Sequence, residues 1–248
     1  MPSLLRFDNR PPSLTTREAA ARILFETLKL SKNTETVEVD KLAANAGVSK
    51  EIVVSVLSEM FRPTVYPNVT VSPQDRFKIA MLAAENGWLD STAIGLSWQE
   101  FEHFAEECLR LAGFEANRNV RIKDAKRSWQ IDVVGTKSTL VLSIDCKHWK
   151  PPNYPSKFKQ ASAHQKAATM KLLARNYPGA KGVVGLPVIL TLHDPNSVNV
   201  DGVVMLPIQK LPDFLSHITP FTPGLPFLYP KEDPVQNPII AVPLPSGD

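Results

Sequence analysis

Hydrophobic positions along the chain change their spacing twice, and the changes divide it into three stretches. Across residues 1–95 apolar side chains recur with helical spacing. Thr15-Thr16-Arg17-Glu18 reads as a capping box, and Ala19, Ile23, Leu24 and Leu28 form the apolar stripe of the helix that follows. The small residues of Leu42-Ala43-Ala44-Asn45-Ala46 let two helices approach closely. Gly47 then permits a left-handed turn, and Ser49 can cap a further helix over 50–61. Ser72-Pro73 opens another helix, which Asn86-Gly87 ends. Two helices joined by a short glycine turn predict a helix-turn-helix. The expectation is therefore a small all-α domain over 1–95, of (winged) helix-turn-helix type.

From residue 96 to 218 the pattern is mixed. Ser97-Trp98-Gln99-Glu100 is a capping box, and Trp98, Phe101, Ala105, Cys108 and Ala112 follow the spacing of a buried helical face that Gly113 terminates. Strand-like runs follow at 114–122, 128–134 and 139–147, with 135–138 suited to a tight turn. A helix is predicted over 157–176, Val-rich strands over 182–192 and 202–208, and a closing helix over 211–218. The order α-β-β-β-α-β-β-α predicts an α/β fold with a mixed sheet flanked by helices. Residues 219–248 hold eight prolines, which sustain neither helix nor central strand, so this stretch is an extended tail, disordered or docked along a surface.

Composition removes several function classes. A hydrophobic content of 43% fills an ordinary globular core, and no apolar run is long enough to span a membrane. The two cysteines, Cys108 and Cys146, exclude a disulfide framework and offer no CxxC zinc pair. The opening Met-Pro-Ser-Leu-Leu-Arg lacks the pattern of a signal peptide, which makes the cytoplasm the expected location.

Charge is uneven. Residues 1–95 carry 11 basic and 11 acidic side chains, whereas 96–218 carry 16 and 11. Between Cys146 and His193 stand eight basic residues and no acidic one, including Lys150, Lys157, Lys159 and Lys166. Arg118, Arg121, Lys123, Lys126 and Arg127 form a second cluster. Such one-sided charge suits a polyanion, whose counterions are released when phosphates are neutralised. The predicted second helix of the N-terminal domain offers Lys50 against Glu51 and Glu59. Two readings stand for that domain: contact with DNA, or packing on the core, dimerisation or a protein partner.

The candidate chemistry lies on consecutive strands. Gln130-Ile131-Asp132-Val133 precedes Leu142-Ser143-Ile144-Asp145-Cys146-Lys147. Residues two apart on a strand share a side, so Asp145 and Lys147 converge, and hairpin pairing brings Asp132 near them. Hydrolysis of a phosphodiester needs neutralised charge and an activated water. Two carboxylates, with the backbone carbonyl of Cys146 as a third oxygen, suit Mg²⁺, and Lys147 would orient water and stabilise developing charge.

Asp132 followed by Asp145-x-Lys147 on the next strand resembles the PD-(D/E)xK, restriction-endonuclease-like nucleases. Trp98-Gln99-Glu100-Phe101-Glu102-His103-Phe104 resembles the opening helix of the Mrr-type and archaeal Holliday-junction-resolvase-like branches. The resemblance implies Glu102 as a further metal ligand, Gln165 as a supporting polar residue, and Mg²⁺, with Mn²⁺ able to substitute. It implies an endonuclease acting on DNA in repair, recombination or restriction. A non-catalytic DNA-binding protein that keeps the fold and an RNA-processing nuclease are the alternatives. Cleavage of both strands needs two sites, so a homodimer is expected. The Pro-rich tail is a further place for a protein partner.

Overall fold

The computed structural model describes residues 14–60, 66–123, 127–148 and 155–230. Lys126, Trp149, Lys150, the chain start and the tail beyond residue 230 lie outside the described residues. The chain divides into two compact units, Met1–Leu96 and Ser97–Asp248.

The first unit contains α1 (Leu14–Leu30), β1 (Thr36–Glu38), α2 (Val39–Ala46), α3 (Lys50–Met60), β2 (Asn68–Thr70), α4 (Pro73–Glu85) and α5 (Leu89–Ala93). Ile23, Leu24 and Leu28 are buried as the stripe requires. Gly47 closes α2 at φ 67°, in the left-handed region, and its N–H reaches the carbonyls of Ala43 and Ala44. Ser72 caps α4 reciprocally with Asp75, with Pro73 at its first turn. The unit is not all-helical as the sequence pattern suggested. Val37 and Val69 pair within a two-stranded antiparallel ribbon of β1 and β2 and are both buried. Three-residue strands are too short to show an alternating period. The expected Thr15 cap also differs, because α1 already begins at Leu14 and Glu18 accepts from Arg22 one turn on. Arg76, buried on α4, donates to the Leu28 carbonyl, Ser31 Oγ and the Gly95 carbonyl, tying α1 to the end of α5.

The second unit runs α6 (Trp98–Leu111), β3 (Glu115–Lys123), β4 (Ser128–Lys137), β5 (Leu140–Lys147), α7 (Pro155–Asn176), β6 (Val184–Thr191), β7 (Asn199–Val200), β8 (Val203–Pro207) and α8 (Leu211–His217). One six-stranded sheet has the order β3-β4-β5-β6-β8-β7. β3, β4 and β5 form an antiparallel meander, whereas β5–β6 and β6–β8 are parallel. A parallel neighbour needs a crossover, which α7 supplies between β5 and β6. Ala168, Leu172 and Leu173 of α7 pack on Val120, Ile122, Trp129, Ile131, Val134 and Val141 of the sheet.

Three details depart from the pattern, and a fourth decides between the two readings of the tail's first part. Gly135 lies inside β4, not in the turn, which is formed by Ser138 and Thr139. Its role is room: a Cβ there would stand 2.8 Å from Leu109 Cδ2 of α6. Trp98 is 55% exposed, and the buried face of α6 instead carries Phe101, Glu102, Phe104, Ala105, Glu106, Cys108 and Leu109. The short strand β7 joins β8 through Asp201-Gly202, with φ 52° and 80° as a two-residue hairpin turn demands. The first part of the tail is docked. Leu228 exchanges two 2.8 Å backbone hydrogen bonds with Gly185, on the stretch of β6 that precedes its pairing with β8.

Gly185 also faces Leu173, whose Cδ1 would lie 2.6 Å from an added Cβ. Gly185→Ala is therefore expected to lower unfolding free energy by about 1–3 kcal/mol in urea denaturation, the usual cost of overpacking. An unchanged midpoint would show that α7 yields at this contact.

Candidate active site

The centre of the second unit is a lapse in the strand ladder. β3 and β4 pair on either side of Asn119 and Asp132, and Asn119 has a left-handed backbone at φ 55°. The β4–β5 register ends at Val133 opposite Ile144, and the next residues on the two strands are Asp132 and Asp145. The N–H of Cys146 donates to Asp132 Oδ2 at 2.8 Å. The Asp132 carboxylate is thus fixed by a main-chain donor.

Three side chains gather around it. Asp145 is 8% exposed, and its Oδ1 accepts from Lys147 Nζ at 2.8 Å, as two residues on one side of a strand can. Glu102, on α6, is 3% exposed. Burial, then the neighbouring charge of Asp145, pushes the Asp132 carboxyl up to about 7. Burial also raises Glu102, against the opposing pull of the Arg118 guanidinium. The Cys146 thiol is pushed well up by burial and by the same carboxylates, so it stays protonated and is no nucleophile.

Gln165 of α7 is buried, and its Nε2 donates to the Ser143 carbonyl at 2.7 Å and to Ser143 Oγ at 3.1 Å. Ser143 is two residues before Asp145, so this amide fastens α7 to β5 beside the acidic pair. His148 packs edge-on against Phe101, with ring centroids 5.8 Å apart.

Fit to a divalent cation rests on one atom. Asp145 Oδ2 is buried and accepts no hydrogen bond from an N–H or hydroxyl of the described residues, although the Asp132 carboxyl, when protonated, can hydrogen-bond to Asp145. A buried carboxylate oxygen without a partner is costly, and a hard cation satisfies it. Asp132, Asp145 and Glu102 could supply the oxygen donors that a hard divalent cation prefers. His103, Glu106 and Glu107 also lie within 4.8 Å of one another. Their carboxylates are already taken: Glu106 pairs with Arg110 and Arg118, and Glu107 with Arg110. That group is an ion-pair network rather than a cation cage.

The predicted basic residues are distributed unevenly. Arg118 is drawn inward to Glu106. Arg121 and Lys123 are exposed on β3, and Lys157 and Lys159 are exposed on α7. Lys166 donates to the Asp201 carbonyl at 3.2 Å. Arg127 lies over the Trp129 ring, 3.7 Å from its centroid, and contacts His164 Nδ1 at 3.0 Å. Trp129 and His164 are brought in by the fold. Their only trace in the sequence is the Arg127-x-Trp129 spacing, with Arg127 immediately before β4 and Trp129 its second residue.

Residues 94–174 match the restriction endonuclease family, through its Mrr catalytic domain. An uncharacterised protein of Archaeoglobus fulgidus is 23% identical over 123 residues, 50% of this chain and 92% of that protein. The solved structure of protein VC1899 from Vibrio cholerae aligns over 82% of this chain with a TM-score of 0.42 at 13% identity. Can2 from Sulfobacillus thermosulfidooxidans, solved with cyclic tetra-adenylate, aligns over 82% with a TM-score of 0.33 at 14% identity. The chain spans 50% of the length of each of these two structures. The mixed sheet with its flanking helices is a restriction-endonuclease-like core, and the family match supports a nuclease.

The raised Asp132 carboxyl has a thermodynamic consequence. An unfolded aspartate ionises near about 3.9. The metal-free folded state holds the proton until about pH 7. Its stabilising contribution is complete below the unfolded value and is lost as pH rises through the folded one. Urea midpoints of metal-free protein should fall across this window, and Asp132→Asn should flatten the fall and exceed wild type at about pH 8. Parallel curves for the two proteins would contradict the assignment.

Proposed function

We propose that this chain is a divalent-metal-dependent endonuclease that hydrolyses phosphodiester bonds in DNA. The observation that carries the reading is the pair Asp132 and Asp145 beside Lys147, with Asp145 Oδ2 buried and bonded to no N–H or hydroxyl of the described residues.

Asp132, Asp145 and the Cys146 carbonyl would hold the cation, with Glu102 as a further oxygen. Bound there, Mg²⁺ or Mn²⁺ supplies Lewis-acid neutralisation of the scissile phosphate and eases ionisation of water. The Cys146 N–H holds the Asp132 carboxylate in place. Lys147 donates to Asp145, and its ammonium charge would orient the attacking water and stabilise charge as an ester P–O bond breaks. Gln165 holds the backbone of β5 at Ser143, so that Asp145 does not drift. Arg121, Lys123, Lys157 and Lys159 lie exposed and suit the phosphate backbone.

The first unit, with α2 and α3 joined at Gly47 and the ribbon of β1 and β2, is read as a winged helix-turn-helix-like module. The one basic residue of α3, Lys50, is paired with Asp40. A role in DNA-structure recognition or partner binding therefore fits it better than strong phosphate contact. Double-strand cleavage needs two sites, and a symmetric dimer supplies them.

Labelled duplex, junction and single-stranded DNA, and single-stranded RNA, incubated with Mg²⁺, Mn²⁺ or EDTA test the reading. Cleavage of DNA is expected with metal and absent in EDTA, and Lys147→Ala and Asp145→Ala should each lower the rate about a hundredfold or more. Preference for RNA would redirect the substrate. Salt-sensitive DNA binding with no cleavage under any metal would favour a binding protein. Because the cation needs ionised Asp132, its apparent affinity should rise as pH increases through about 7, by at most about tenfold per pH unit.

A further inference from the structure

Arg127, Trp129 and His164 form a stack that the proposed catalytic steps leave unused. The Arg127 guanidinium lies 3.7 Å from the centroid of the Trp129 ring. The His164 ring is stacked on the same indole with centroids 5.1 Å apart and planes inclined by 27°. Arg127 Nη2 and His164 Nδ1 are 3.0 Å apart, so both groups lie over one face of the indole. Arginine has only donors, so Nδ1 is the acceptor and the imidazole carries its proton on Nε2. Desolvation lowers the His164 imidazole below its ordinary value, with Asp145 opposing the shift and the charges of Arg127 and Lys147 adding to it.

This arrangement differs from an ordinary surface arginine. The indole supports the cation from beneath and His164 fixes one edge, while the remaining guanidinium N–H groups stay at an exposed position. Arg127 makes a single hydrogen bond among the described residues, out of five possible donors. Trp129 is 9% exposed and its face is occupied, so a nucleobase cannot stack on it. What the stack offers is a fixed fork of cationic donors beside the His164 Nε2–H, which fits a phosphate.

Its position gives the phosphate an identity. Trp129 stands three residues before Asp132 on β4, about 10 Å along the strand. His164 directly precedes Gln165, which is bonded to Ser143 of β5. A nucleic-acid strand whose scissile phosphate meets Asp132 and Asp145 would bring another of its phosphates to the stack within a few nucleotides.

We propose that Arg127 and His164, held by Trp129, form a preorganised clamp for a non-scissile phosphate of the nucleic-acid substrate. The inference rests on the nuclease reading. Arg127 and His164 touch the phosphate, and Trp129 is a positioning residue.

Binding of a fluorescently labelled duplex and single strand, measured by anisotropy across a salt series in Ca²⁺ or EDTA, tests it. Arg127→Ala should weaken binding about tenfold and reduce the slope of log affinity against log salt by about one. Arg127→Lys should keep the slope yet recover only part of the affinity, because a lysine lacks the fork. Trp129→Leu should weaken binding with the slope intact, the signature of a misplaced charge. His164→Gln should weaken binding by less than Arg127→Ala. Wild-type protein that binds and cleaves DNA, alongside Arg127→Ala and His164→Gln with unchanged affinity and slope, would overturn the clamp and leave the nuclease reading standing. Wild-type protein that neither binds nor cleaves any nucleic acid would overturn the nuclease reading itself.

Discussion

Two carboxylates held side by side in a buried position are the constraint on which the second unit is organised. Like charges in a medium of low polarity repel strongly, and neither acid would remain there without a compensating feature. The compensation is local and built from the main chain. The ladder of β4 lapses at Asp132, and the N–H of Cys146 turns to the carboxylate. Lys147 then takes one oxygen of Asp145. What is left over is one buried oxygen that no N–H or hydroxyl of the described residues reaches, beside a carboxyl raised to about 7. The site is electrostatically incomplete as a protein alone, and this supports the divalent cation proposed for it.

The surrounding elements limit how far this site can relax. Gln165 bonds α7 to β5 at Ser143, and Leu109 of α6 closes over Gly135 of β4. Glu106, one turn beyond Glu102 on α6, is neutralised by Arg110 and Arg118. That pairing separates two kinds of buried acid on one helix. Glu106 is satisfied by guanidinium groups and is structural, whereas Glu102 has its carboxyl raised by burial beside Asp145.

Much of the second unit could be read from spacing. The order of helices and strands, the capping box at Ser97 and the convergence of Asp145 with Lys147 all follow from local periodicity. Features that depend on contacts distant in sequence could not. Gly135 looked like a turn residue because glycine favours turns, but its purpose is to admit Leu109. Trp98 looked like core by spacing, yet it lies at the first turn of α6 and is 55% exposed. The pairing of Arg118 with Glu106 removed one expected surface cation, and the stack of Trp129 with His164 joined a strand to a helix 35 residues later. In the first unit, β1 and β2 were invisible because three residues carry no period.

The account stands on Asp132 and Asp145 holding a divalent cation. Crystals of the protein soaked in Mn²⁺ and measured at an anomalous wavelength test it most directly. The account predicts a peak within about 2.5 Å of Asp145 Oδ2, shared with Asp132 and lost in Asp145→Asn. A peak confined to His103, Glu106 and Glu107, with none beside Asp145, would contradict it.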